Sequence, residues 1–128
     1  MEIDLEGDGE SLDSTTLRGM AGAKKACAGR NPLVFMNACS SAQADSVYQS
    51  LFLSLFMGTW SARGFIGTDW KVPTLFADAF SRRVLRDFLL DGCPLGRAFA
   101  VASAEVIDAG NPFPMIYAIF ARPDLQAA

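Results

Sequence analysis

Residues 32–41 read Pro32-Leu-Val-Phe-Met-Asn-Ala-Cys-Ser-Ser41, and the fold class turns on them. Leu33 to Ala38 reads as one continuous apolar run of strand length, bounded by Pro32 on one side and the Cys39-Ser40-Ser41 cluster on the other. A run without polar alternation is what a sheet covered on both faces requires, so the expectation is a buried parallel strand with Cys39 at its carboxyl end.

On the carboxyl side, Val47, Tyr48, Leu51, Phe52, Leu55 and Phe56 recur at helical spacing between Ala42 and Met57, and Gly58 ends the pattern. Ala62 to Thr68 is a second short buried strand, followed by a connector over Asp69 to Pro73. Phe76, Phe80, Val84 and Phe88 then mark one face of a long helix, with Arg82, Arg83, Arg86 and Asp87 on its other side and Gly92 closing it. Pro94 opens a further helix with Leu95, Ala98, Phe99, Ala102 and Val106 inward. Gly110 and Asn111-Pro112 end that helix, and Met115 to Phe120 forms a last apolar strand.

On the amino side, Asp13 or Ser14 caps a helix carrying Leu17, Met20 and Cys27, which Gly29 and Asn31-Pro32 stop. Residues 1–12 are rich in Gly, Asp and Glu and read as a loop or an edge strand. Strands alternating with helices imply a three-layer α/β arrangement, with a mostly parallel sheet flanked by helices. Three strands make a narrow sheet with poorly covered edges, so the 128 residues read as a single, partial domain.

The net charge of -3 and a sequence pI near 4.8, with no clustered Lys/Arg stripe, offer no footprint for nucleic acid or an anionic membrane. The longest strongly apolar run, Leu51 to Met57, falls far short of the roughly 20 residues that span a bilayer. Cys27, Cys39 and Cys93 are odd in number and irregularly spaced, which suits neither a disulfide framework nor a CxxC-type zinc site. These features lead to the expectation of a soluble cytoplasmic protein without a cofactor or a metal.

In an open parallel sheet, reactive groups gather beyond the carboxyl ends of the strands, which is where Cys39 stands. A following helix directs its amino end toward that position and favours a thiolate over a thiol. The competing reading is a small buried hydrophobe, the commonest state of a free cysteine. Cys27 and Cys93 fall on a helix face and in a helix-to-helix turn, and read as packing or surface residues.

Four segments, taken in order, resemble the C-terminal half of a CHAT domain, a family grouped with the caspase-like cysteine peptidases. They are Pro32 to Ser41, Ala62-Arg-Gly-Phe-Ile-Gly-Thr-Asp-Trp-Lys-Val-Pro73, Asp91-Gly-Cys-Pro-Leu-Gly-Arg-Ala98, and Asn111 to Leu125. The similarity runs from about Leu17 to Leu125. It implies a partial caspase-like fold in which Cys39 is the nucleophile, its own N–H forming part of an oxyanion hole. Trp70 aligns with a recurrent tryptophan of the family beside the substrate pocket, and Asp69 stands next to it. Trp70 reads equally as a large core or lid residue, and Asp69 either pairs with a basic substrate side chain or is a solvated loop carboxylate.

The family's general-base histidine lies in a His-Gly segment upstream of anything matched here, and this sequence contains no histidine. Carboxylates such as Asp45 or Asp69 would repel the thiolate they helped to form, so this chain alone is expected to be inactive or very slow. One expectation is therefore a peptidase part that takes peptide or protein substrates once a histidine-bearing segment completes it. The other is a non-catalytic pseudo-peptidase or interaction module that pairs through its sheet edge. The resemblance also implies a neighbouring helical-repeat domain as partner, and no repeat occurs in these residues. An unrelated flavodoxin-type binding protein ranks below both, because no Gly-rich phosphate loop follows any strand.

Overall fold

A computed structural model describes residues 2–4, 11–13, 19, 25, 28–37 and 53–127. Near the amino end, β1 (Glu2–Asp4) and β2 (Ser11–Asp13) pair antiparallel in a ladder of their own, with Ile3 opposite Leu12. Of the first expected helix, positions 19 and 25 are helical, and a turn over residues 28–30 ends the segment with Gly29 at φ +73°. Cys27 and most of that helix lie outside the described residues.

The main sheet has the order β3 (Leu33–Phe35), β4 (Gly64–Thr68), β5 (Tyr117–Ala121). β3 and β4 are parallel, with Val34 opposite Phe65, as the apolar runs predicted. β4 and β5 are antiparallel, with Ile66 opposite Ile119, which corrects the expectation of a mostly parallel sheet. The cause lies in what joins them. After β4 the chain enters α1 (Thr74–Leu89) and then α2 (Leu95–Asp108). One crossover helix returns a chain to the starting end of a parallel neighbour, whereas two successive antiparallel helices bring it back to the end it left. A 3-10 turn over Phe113–Ile116 then feeds β5, so the last strand begins at Tyr117 rather than Met115.

Alternation along the strands sorts side chains onto two faces. Leu33, Phe35, Ile66, Tyr117, Ile119 and Ala121 join a core built with Phe80, Val84 and Phe88 of α1 and Leu95, Ala98 and Ala102 of α2. Val34, Met36, Phe65 and Phe120 join a second core with Leu55, Phe56, Trp60 and Ala62. The result is mixed α/β in three layers, with the α1–α2 pair on one face and the turn at Ser54–Thr59 on the other. Of the expected Ala42–Met57 helix, residues 53–57 are described: Leu53 is helical, and Ser54 to Met57 belong to that π-helical turn. Each large side chain so enclosed contributes roughly 1.5–3 kcal/mol.

β4 is buried along its whole length, as a central strand with apolar residues on both faces should be. β3 is only half-buried despite its apolar sequence, because among the described residues it forms an edge of the sheet. Gly92 at φ +66° and Gly110 at φ +91° turn the chain out of α1 and α2 through a region open to glycine at no steric cost. Asp87, expected on the charged side of α1, is instead buried at 8% exposure. Arg83 draws it in. The guanidinium donates from Nε to Asp87 Oδ2 at 3.0 Å and bridges to α2 through Glu105, at 2.7 and 3.0 Å. No helix among the described residues is long and apolar enough to cross a membrane.

Candidate functional site

The carboxyl ends of the parallel pair β3 and β4 lie at the same end of the sheet, and the chain leaves β3 through Met36 and Asn37. Met36 keeps the ladder going by donating its N–H to Ile66 O at 2.8 Å. Asn37 ends it. Its Nδ2 donates to the Ala77 carbonyl in the first turns of α1 at 2.8 Å, and its Oδ1 accepts from the Tyr117 hydroxyl at 2.9 Å. One carboxamide thus joins the exit of β3 to a helix 40 residues on and to the start of β5, 80 residues on.

Tyr117 is a firm anchor for that bond. It is 8% exposed and stands among Phe35, Phe80 and Phe99, with ring centroids 5.9, 5.0 and 6.2 Å away. Such a phenol has an apolar body that belongs in the core and a hydroxyl that needs a partner, which Asn37 supplies. Cys39, the expected nucleophile, follows Asn37 by two residues and lies outside the described residues, as does Asp45.

Asp69 and Trp70 follow β4 at this same end. The Asp69 N–H donates to Ile116 O at 2.8 Å, which fastens the connector to the turn before β5. Both residues are exposed, and Trp70, at 65%, fills no core. Leu75, at the start of α1, and Met115, beside Ile116, are also exposed. Cys93 sits in the α1–α2 turn, half-buried, with its N–H donating to Asp87 O at 3.0 Å.

Asn37 and Tyr117 are the residues that sequence reasoning passed over. The signal was present: Asn37 is polar, so the apolar run stops at Met36 rather than continuing to Ala38, and a polar group at the end of a buried strand must find partners. On the helical layer, a groove of about 380 Å³ opens between α1 and α2, bordered by Phe76, Phe80, Val106 and the Arg83–Glu105 pair. No cluster of metal-ligating side chains occurs among the described residues.

No family model, curated protein or solved structure matches this chain.

Proposed function

We propose that this chain is the nucleophile-bearing portion of a CHAT-type, caspase-like cysteine peptidase, with Cys39 as the nucleophile. The observation that carries the reading is the double anchoring of Asn37, which holds the chain leaving β3 at a defined place just before Cys39. Reactive side chains in open α/β sheets sit beyond strand carboxyl ends, where rigid elements position them. Asp69 and Trp70 reach the same end from β4, where they would border an extended peptide.

The chemistry needs a base from another segment, because this sequence holds no histidine. An imidazole within hydrogen-bond reach takes the Cys39 thiol proton, and the thiolate attacks the peptide carbonyl carbon. The tetrahedral oxyanion is held by backbone N–H groups. It collapses to a thioester as the C–N bond breaks, and the imidazolium gives its proton to the departing amine. Water then hydrolyses the thioester, restoring the thiol.

The absence of histidine supports a second reading, a pseudo-peptidase that binds without cleaving. Thiol labelling at neutral pH, read residue by residue by mass spectrometry, separates the two. The peptidase reading expects Cys39 to react faster than Cys93 when a histidine-bearing fragment is present, and peptide cleavage to vanish in Cys39→Ser. Equal labelling of Cys39 and Cys93 in that mixture, with no cleavage, sinks the enzyme and leaves the binding module.

A further inference from the structure

We draw no further inference here: the strongest candidate, the groove of about 380 Å³ between α1 and α2, is walled by Phe76, Phe80 and Val106 with its charged groups Arg83 and Glu105 paired to each other, and nothing in the structure shows what covers it.

Discussion

The Tyr117 hydroxyl donates to Asn37 Oδ1 across 2.9 Å, and through that bond the first residue of β5 fixes the residue at which the chain leaves β3. Tyr117→Phe keeps the ring among Phe35, Phe80 and Phe99 and removes the donor. We expect a loss of about 1 kcal/mol, the usual net worth of such a bond, seen as a lower urea midpoint at unchanged slope. Asn37→Ala should cost at least as much, and the two changes together should cost less than their sum because they share the bond. Strict additivity would show that the hydroxyl and the carboxamide act independently.

Acid should loosen the helical layer through Asp87. The Arg83 guanidinium beside it holds its carboxyl below the usual carboxylate range, against the opposing effect of burial. The unfolded chain therefore takes up this proton at a higher pH than the folded one, near pH ~4 for an ordinary aspartate. The stabilisation is complete above that value and is lost as pH falls through the lowered folded one. Asp87→Asn should flatten the decline of the denaturation midpoint below about pH 4 relative to the unaltered chain. Parallel pH profiles would assign the acid sensitivity to other carboxylates.

Two glycines serve as spacers and should resist a methyl group. A Cβ at Gly64 would stand 2.7 Å from the Ala121 Cβ, and one at Gly96 would stand 2.9 Å from Pro123 O. Gly64→Ala presses β4 and β5 apart, and Gly96→Ala pushes the tail off α2, whose first N–H groups donate to Leu125 O and Pro123 O. Each is expected to cost about 1–3 kcal/mol by overpacking. Chemical denaturation would measure both. A neutral Gly96→Ala would mean that the tail gives way at little cost.

Ser103 carries a buried hydroxyl oxygen that has no hydrogen-bond partner among the described residues. Ser103→Ala removes that polar group and improves helix propensity, so we expect a gain of roughly 1 kcal/mol. A thermal melt shifted downward would indicate a partner for the hydroxyl in solution.

Asp69 and Trp70 offer a check on the proposed substrate wall. In a chain completed with a histidine-bearing fragment, Asp69→Ala should weaken cleavage of Arg reporter peptides relative to Asp reporters. Equal cleavage of both reporters, or a preference that Asp69→Ala leaves intact, removes Asp69 from recognition.

The apolar spacing of Phe80, Val84 and Phe88, and of Leu95, Ala98 and Ala102, was enough to place α1 and α2 and to choose their inward faces. Gly92 and Gly110 marked where those helices end, and the run from Ala62 to Thr68 identified the buried central strand. Local physics suffices for these, since helical periodicity, a residue's tolerance of positive φ and a run of apolar side chains are properties of neighbouring residues. The positions of Asp69 and Trp70 after that strand were legible on the same grounds.

Contacts between distant segments decided the rest. The antiparallel direction of β5 follows from two helices packing against each other and returning the chain to the end it left. Asp87 is buried because Arg83 reaches both it and Glu105, which a one-helix pattern of charges does not reveal. Asn37 found its partners 40 and 80 residues away, at Ala77 and Tyr117. Hydrogen-bonding capacity is written in each residue type. Which distant group satisfies it is settled only when the sheet and the helices close around it.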